Sequence, residues 1–150
     1  FMLFARYGQG LLVLHERQTR FSIVLHPLDR KAVLTARTIA RQLGKLPQAL
    51  RKTISFDNGT EFAAHHSLHN ALGVQTFFCD PHSTWQKGGV ENSIGRLRRS
   101  LPRKTDLKAI TAAALKRLAQ RLNDTPRKCL DFNTPAEAFS KLKSIVALQT

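Results

Sequence analysis

The sequence predicts an α/β fold built on a mixed five-stranded sheet. Three short runs rich in Leu, Val, Ile and Phe open the chain at residues 1–5, 10–16 and 21–26, and turn-like segments separate them. Two further short strands, 52–56 and 74–79, alternate with helical patterns. We therefore expect a three-strand antiparallel meander plus two parallel strands, with helices on both faces of the sheet.

Five helices are predicted around this sheet. Apolar residues follow helical spacing over 31–44, where Asp29 is placed to cap the start, and a second helix is expected over 60–71. The remaining three helices are expected from Trp85 or Lys87 to Leu101, over 107–122, and from Pro135 with Thr134 as its N-cap. This order places the end of the fourth strand next to Asp57.

Length and composition indicate one domain. The chain has 150 residues, 42% of them hydrophobic, which is enough for one core and too short for two ordinary domains. It opens directly on an apolar run, so we expect a single domain over 1–150 that is truncated at its N-terminus within a strand.

The charge of the chain favours a polyanionic partner. Twenty-four Lys and Arg against ten Asp and Glu give a formal net charge of +14 and a pI near 10.9. The alternative is a ribosomal-type or merely soluble basic protein.

Two cysteines, Cys79 and Cys129, are too few for a disulfide framework, and we expect both to be ordinary buried or half-buried thiols. With no apolar stretch long enough for a membrane span and no signal-peptide pattern, we expect a soluble, intracellular protein that does not bind membranes.

Asp57 is the first residue that indicates chemistry. It follows the fourth strand at a Gly-containing turn, and ligands of open α/β sheets bind beyond the carboxyl ends of strands. Asn58 and Glu61 are adjacent candidates for orienting its carboxylate. The alternative interpretation is a turn aspartate that accepts hydrogen bonds from the amides of Gly59 or Thr60.

Glu91 is the second such residue, with 33 residues between it and Asp57. It falls one turn into a predicted helix whose start is loosened by Gly88 and Gly89. Carboxylates that hold hard divalent cations, beside a surface that attracts phosphates, are the components of metal-dependent phosphoryl transfer on nucleic acid. The alternative is a solvated basic helix face with salt bridges.

The segment 96–104 carries five cations in nine residues and no aromatic side chain. Such a segment suits contact with a nucleic-acid backbone and makes affinity depend on salt. Trp85, the only tryptophan, is interpreted as a core anchor, with stacking on a flipped or terminal base as the alternative.

Two other types of site have little support. His65, His66 and His69 lie on one predicted helix, but no Glu sits between His65 and His69 in the zincin arrangement and no Cys lies nearby. A Ser/His/Asp hydrolase is weaker still, because the chain has no Gly-x-Ser-x-Gly elbow.

Three segments, 56–62, 79–92 and 125–130, closely resemble the bacterial transposases of the insertion sequence 30 family, and the resemblance extends over about 1–142. It implies an integrase core with a ribonuclease-H-like fold and an Asp, Asp, 33-residue-spacer, Glu triad. Asp57 matches the second acid and Glu91 the third. The surrounding motif is matched by Asn58, Gly59, Trp85, Gln86, Gly88 and Asn92.

The first acid of that triad has no match in this chain. The family pattern places it immediately upstream of Phe1, and neither Glu16 nor Asp29 fits its place. The resemblance therefore implies that the 150-residue piece is inactive or nearly so and that the full-length parent is the enzyme. It leaves open a non-catalytic DNA-binding remnant of a decayed transposase and a nuclease of the same fold. An Asp before Phe1 would favour an enzyme core, and a non-acidic residue there would favour the remnant.

The resemblance also implies a mechanism and partners. Asp57 and Glu91 would bind Mg²⁺ or Mn²⁺ for two-metal cleavage and strand transfer at the ends of an insertion sequence. Double-stranded DNA of the element ends and the target would be the partner, and a homo-oligomer in the bacterial cytoplasm, associated with the nucleoid when acting, is expected. The backbone of that DNA would be gripped by Lys87, Arg96, Arg98, Arg99 and Arg103, while Asn58, Trp85 and Asn92 would support the site.

Overall fold

A computed structural model describes residues 1–4, 9–27, 29–81 and 83–148 of the chain. The chain divides into two compact units. The first unit comprises Phe1–His26 and Gly88–Leu142, and the second comprises Pro27–Lys87 and Lys143–Thr150. The single domain expected over 1–150 stays a prediction.

The first unit contains the three-strand meander. Strands β1 (Met2–Leu3), β2 (Gly10–His15) and β3 (Ser22–Leu25) pair antiparallel in that order, with Met2 opposite Leu11 and Val13 opposite Val24. The predicted meander is thus confirmed. The end of its first strand at Ala5 and the predicted turn at 6–8 lie outside the described residues.

Helices cover one face of this meander. Leucines of α3 (Gly88–Arg98) and α4 (Ala112–Asn123) form one buried cluster with apolar side chains of the strands. The buried members of that cluster are Met2, Phe4, Leu11, Val13, Val24, Leu97, Leu101, Leu107, Leu115 and Leu122.

The helix predicted over 107–122 is split into two pieces, a 3₁₀ turn at Leu107–Ala109 and then α4. The break lies at Thr111, whose hydroxyl accepts a hydrogen bond from the Ala114 amide at 3.1 Å and caps α4.

The last helix, α5, covers Pro135–Ala147 and is longer than its short sequence signal. Thr134 Oγ1 accepts a hydrogen bond from the Glu137 amide at 3.1 Å, and the Glu137 carboxylate accepts one from the Thr134 amide at 2.8 Å. This reciprocal capping box confirms Thr134 as the N-cap and Pro135 as the first helical residue.

The second unit contains the parallel strand pair. Strands β4 (Thr53–Phe56) and β5 (Gln75–Phe78) run parallel, with Phe56 opposite Phe78. The helices α1 (Ala32–Leu43) and α2 (His66–Leu72) pack against each other in this unit. Its buried apolar side chains include Ala36, Ile39, Phe56, Phe62, Leu68 and Val74.

Two local predictions in the second unit are wrong. The helix expected over 60–71 is split into a 3₁₀ turn at Thr60–Phe62 and α2, and this tight turn places the Phe62 ring 4.6 Å from the Phe56 ring, in the core. Asp29 does not cap α1 directly, because the N-cap is Lys31. Asp29 instead accepts a hydrogen bond from the Lys31 amide at 3.2 Å and pairs with its ammonium group at 3.3 Å.

The strand pairings among the described residues form a three-stranded and a two-stranded sheet, so the continuous five-stranded sheet stays a prediction. Cys79 is buried as expected, whereas Cys129 is exposed, which contradicts the buried or half-buried placement predicted for it. In the described ranges, no helix is both long and apolar enough to cross a membrane.

Candidate active site

Asp57 follows β4 directly and is half-buried in the second unit. Its Oδ1 accepts a long hydrogen bond, 3.4 Å, from the Gly59 amide, so the turn-aspartate interpretation describes part of its environment. Asn58 Nδ2 donates to the Cys79 carbonyl at 3.2 Å. Asn58 therefore ties the turn that carries Asp57 to the residue after β5.

The end of the Glu61 side chain lies close to Gly59. A Cβ added at Gly59 would lie 2.8 Å from both Cδ and Oε2 of Glu61, closer than real Cβ contacts. The Glu61 carboxylate is thus folded back over the turn that follows Asp57. This position suits the predicted role of Glu61 as a neighbour of the Asp57 turn.

Trp85 lies on a 3₁₀ helix, Thr84–Lys87, at the end of the second unit. The loop before this helix is closed by a reciprocal pair, in which the Asp80 amide donates to Gln86 Oε1 at 2.9 Å and Gln86 Nε2 donates to the Asp80 carboxylate at 2.8 Å. Trp85 is 77% exposed, so its interpretation as a core anchor is wrong. Lys87, the last residue of this helix, is half-buried.

Glu91 and Asn92 lie in the first turn of α3, in the first unit, and both side chains are exposed. The opposite face of the same helix is buried through Ser93 and Leu97. The predicted site residues therefore fall in two groups: Asp57, Asn58, Trp85 and Lys87 belong to the second unit, and Glu91, Asn92 and the arginines belong to the first.

A buried polar cluster lies beneath the first turns of α3, and no sequence motif had indicated it. His15 Nδ1 is 2.9 Å from Ser22 Oγ and 3.0 Å from Ser93 Oγ. Asn123 fixes Ser22 from α4, because its Oδ1 accepts from the Ser22 amide at 2.9 Å and its Nδ2 donates to the Ser22 carbonyl at 2.8 Å. Four elements thus meet around one imidazole: β2, β3, α3 and α4.

The other ring nitrogen of His15 faces the start of α3. A Cβ added at Gly89 would lie 3.0 Å from His15 Nε2 and 3.1 Å from its Cδ2. His15 Nε2 is buried and has no hydrogen-bond partner among the described residues. The imidazole consequently packs edge-on against the backbone of Gly89.

The environment of His15 keeps the imidazole neutral. Burial lowers the pKa of His15 from its usual 6.5 to about 4, with Arg20 and Arg127 acting in the same direction and Glu16 opposing them. A neutral ring protonated on Nε2 can accept a hydrogen bond at Nδ1 from the Ser93 hydroxyl, while the Ser22 hydroxyl donates to Ser93 Oγ at 3.3 Å. A protonated ring would have a donor at Nδ1 and could not.

The five cations predicted to bind DNA differ in their environments. The Arg98 guanidinium lies 4.6 Å from the centroid of the Phe4 ring and donates from Nη2 to the Leu3 carbonyl. Burial, followed by the charge of Arg103, lowers the pKa of Arg98. Arg98 therefore attaches α3 to β1, whereas Arg96, Arg99 and Arg103 are exposed.

Arg127, in the third motif, is buried rather than surface-exposed. Its Nη2 donates to the Leu122 carbonyl at 2.6 Å, and its backbone carbonyl accepts from the Phe132 amide at 3.0 Å. Burial and the charge of Arg96 lower its pKa. The contacts of Arg127 thus stabilise the loop between α4 and α5.

In the second unit, one pocket is lined by His65, His66 and His69 together with Asn70, Gln75, Thr76 and Phe77. His65 Nδ1 is 2.8 Å from Thr76 Oγ1, and the rings of His65 and His66 are 3.8 Å apart. Burial, then the charge of His66, lowers the pKa of His65. Over the residues that the structure describes, no three His, Cys, Asp or Glu side chains are grouped so as to hold a metal ion.

The fold is that of an integrase catalytic core. The structure resembles the catalytic core domain of BIV integrase with a TM-score of 0.70, at 20% sequence identity, over 94% of this chain and 91% of that one. The ribonuclease-H-like α/β fold class is therefore confirmed. No family model matches the chain.

Sequence relatives define the protein more narrowly. The chain is 38% identical over 130 residues to the transposase for insertion sequence element IS1086 of Cupriavidus metallidurans, and 36% identical over 131 residues to the transposase InsI for IS30C of Escherichia coli. These matches cover 87% of this chain but only 38% and 34% of the two relatives. The transposase for IS4351 of Bacteroides fragilis is 30% identical over 133 residues. The expected resemblance is confirmed: the chain is a homologue of insertion sequence 30 family transposases.

Proposed function

We propose that this chain is the catalytic core of a DNA transposase that cleaves the ends of an insertion sequence and joins them to target DNA. One observation carries the proposal. In a homologue of transposases, one carboxylate lies directly after a parallel strand and another in the first turn of α3, and the resemblance matches them to the family's second and third acids.

The donor chemistry of the two acids suits a hard divalent cation. Asp57 and Glu91 offer only carboxylate oxygens, the ligands that Mg²⁺ and Mn²⁺ prefer. When bound, Mg²⁺ or Mn²⁺ would activate the attacking oxygen and stabilise the leaving one. Asn58 would steady the Asp57 turn through Cys79, and the exposed Trp85 would stack on a terminal or flipped base.

The proposed chemistry consists of two displacements at phosphorus. In the first, the oxygen of water forms a bond to the phosphorus at the element end, the bond from phosphorus to the 3′ oxygen breaks, and a proton from the water passes to that oxygen to give a free 3′-hydroxyl. In the second, this hydroxyl oxygen attacks a target phosphate, and its proton passes to the target oxygen that leaves. One phosphodiester bond forms for the one broken in the second step, so joining requires no external energy source.

DNA contact is proposed for the exposed cations, Arg96, Arg99 and Arg103, together with Lys87 and Asn92. Arg98 and Arg99 form a matched pair, since they are neighbours on α3 but only Arg98 is engaged by β1. We expect Arg99→Ala to weaken DNA binding and to reduce the salt slope, d log K/d log[salt], by about 1. Arg98→Ala should instead lower the free energy of unfolding by about 1 kcal/mol with a smaller change in salt slope. Equal salt slopes for the two variants would contradict this division.

The catalytic proposal is tested with Asp placed immediately before Phe1, where the family pattern has its first acid, and with Asn there as the matched control. We expect Mg²⁺- or Mn²⁺-dependent nicking of supercoiled DNA only with Asp, and a loss of at least about a hundredfold in Asp57→Asn and Glu91→Gln versions. A pre-cleaved 3′-hydroxyl end and a target plasmid then measure joining. Cleavage without joining would indicate a nuclease, and salt-sensitive DNA binding with neither reaction would indicate a non-catalytic protein.

A homo-oligomer is part of the proposal, because the two ends of an element must be held together during transposition. Sedimentation of the protein with and without DNA ends measures this directly. A monomer on paired ends would overturn it.

A further inference from the structure

We propose that His15 is a positioning residue for Glu91: its imidazole fixes the first two turns of α3 and so directs the Glu91 carboxylate. This inference rests on the proposed function, since it concerns how a metal-binding carboxylate is held. His15 would not contact DNA or metal itself. Its action would pass through Gly89 and Ser93, the residues on either side of Glu91 in α3.

The first support is the polar contact to the second turn of α3. His15 Nδ1 lies 3.0 Å from Ser93 Oγ, although 78 residues separate the two in sequence. The same nitrogen is 2.9 Å from Ser22 Oγ, and Asn123 holds the Ser22 backbone through two hydrogen bonds. Ser93 is itself buried, which makes loss of its partner costly. The second turn of α3 is therefore attached to β2, β3 and α4 together.

The second support is the steric contact to the first turn. A side chain at 89 would crowd the imidazole, because a Cβ there would lie 3.0 Å from His15 Nε2, tighter than nearly all real Cβ contacts. The atoms in the way belong to a ring held by hydrogen bonds at its other nitrogen. A shift of the ring away from position 89 would therefore strain those bonds.

Helix geometry connects both contacts to Glu91. Residues 89 and 93 are four apart and lie on one face, while residue 91 lies about 200° around the helix from residue 89. Glu91 accordingly points to solvent when Gly89 and Ser93 face the imidazole, as its exposure shows. A rotation of α3 about its axis would turn Glu91 by the same angle, and the His15 contacts oppose that rotation.

The test compares two alanine substitutions in the same helix. Gly89→Ala meets the imidazole, whereas Gly95→Ala is a matched control because nothing lies within 4 Å of a Cβ there. We would titrate the chain with Asp placed before Phe1, in which all three acids of the family pattern are present, with Mn²⁺ and follow paramagnetic broadening of the α3 amides by NMR. Supports of this kind change metal affinity by about 10- to 100-fold, so we expect Gly89→Ala to weaken the affinity about tenfold and Gly95→Ala to leave it unchanged.

Rescue distinguishes positioning from general stability. His15→Asn keeps an acceptor close to the position of Nδ1 and removes the ring atoms that abut Gly89. We expect the double variant, Gly89→Ala with His15→Asn, to recover most of the Mn²⁺ affinity. Ser93→Ala serves as an independent variant, and we expect a several-fold loss of affinity in a folded protein. Unfolding by urea, measured on each variant, separates changes in metal affinity from changes in the free energy of unfolding.

The outcomes separate this inference from the proposed function. If Mn²⁺ broadens neither the amides near Glu91 nor those near Asp57 in the chain with Asp before Phe1 and no other change, the proposed metal site is wrong. If broadening occurs but Gly89→Ala and Ser93→Ala both bind Mn²⁺ as the Gly95→Ala control does, the positioning role of His15 is overturned. It is also overturned if the affinity of Gly89→Ala falls and His15→Asn does not restore it.

Discussion

The two carboxylates are supported in different ways. Asp57 depends on short-range structure, namely the strand that ends at Phe56, the Gly59 turn and one bond from Asn58 to Cys79. Glu91 depends on a helix that is fixed by buried contacts to residues 15, 22 and 123, which are distant in the chain. A support made of neighbouring residues can be read from a motif. Tertiary contacts such as those that hold the helix of Glu91 cannot be predicted from a motif, even though the motif identifies Glu91 itself.

The largest effect on the free energy of unfolding is expected from a substitution in the core beneath Asp57. Phe56 is 4% exposed and stacks on Phe62 at 4.6 Å, so Phe56→Ala should lower the free energy of unfolding by about 3–5 kcal/mol. Phe78→Ala is the control, because Phe78 is 40% exposed, and it should cost less than about 2 kcal/mol. Urea denaturation measures both. Equal losses would mean that the core beneath Asp57 does not depend on the buried ring.

The next largest effect is expected from a substitution in the buried cluster that supports the helix of Glu91. Asn123→Ala removes two hydrogen bonds and leaves the buried amide and carbonyl of Ser22 unpaired. We expect a loss of about 2–3 kcal/mol in the free energy of unfolding. Asn92→Ala, on the exposed face of α3, should change it by less than about 0.5 kcal/mol. If the two asparagines behave alike, the buried cluster contributes nothing to stability.

The pH dependence of stability sharpens the comparison, because only the Glu91 support contains a buried histidine. The pKa of His15 is about 4 in the folded protein, whereas the unfolded chain takes up its proton near 6.5. Between these values the unfolded state binds more protons, so stability falls as the pH falls from 6.5 to 4. Solvent screening of this half-buried ring reduces the contribution to about 1–2 kcal/mol.

Denaturation midpoints measured between pH 7 and pH 4 test this pH dependence, and His15→Asn is the matched variant. The difference between the two proteins should shrink or change sign toward pH 4. A constant difference across this range would show that His15 is protonated alike in the folded and unfolded states.

The smallest expected effect concerns Asn58. Asn58→Ala removes one part-buried hydrogen bond to the Cys79 carbonyl, and we expect a loss of about 0.5–1 kcal/mol in the free energy of unfolding. Asn70→Ala provides an exposed asparagine of the same unit as the control. A loss as large as that of Asn123→Ala would contradict the local character of the Asp57 support.

Much of the fold could be predicted because its signals are local. The apolar runs that form β2 and β3, the Thr134 capping box and the strand before Asp57 are patterns within a few residues. The helix over 60–71 was predicted wrongly because helical spacing does not reveal that Phe62 must reach the core through a tighter turn. Asp29 has the right residue type for a cap but bonds to Lys31 outside the helix.

The site was predictable only where a motif marked it. Trp85 was expected in the core because large aromatic rings are usually buried, but the Asp80 and Gln86 pair closes its loop and leaves the ring exposed. Arg98 is a type of residue that often contacts DNA, and only the structure shows that it donates a hydrogen bond to β1 and lies over the Phe4 ring. His15, Ser22 and Ser93 are ordinary polar residues in sequence, and their proximity follows from pairings across 71 to 78 positions.

The contact between the imidazole and Gly89 also has an evolutionary consequence. Since an alanine at 89 would crowd a histidine at 15, the order of substitutions is biased: a side chain at position 89 is tolerated better after position 15 has lost its ring. Across related transposases these two sites should therefore vary together, with a larger residue at 89 found only where 15 is small. A lineage that replaced the glycine first would pass through a less fit intermediate, which makes the histidine and glycine pair slow to leave once it has formed.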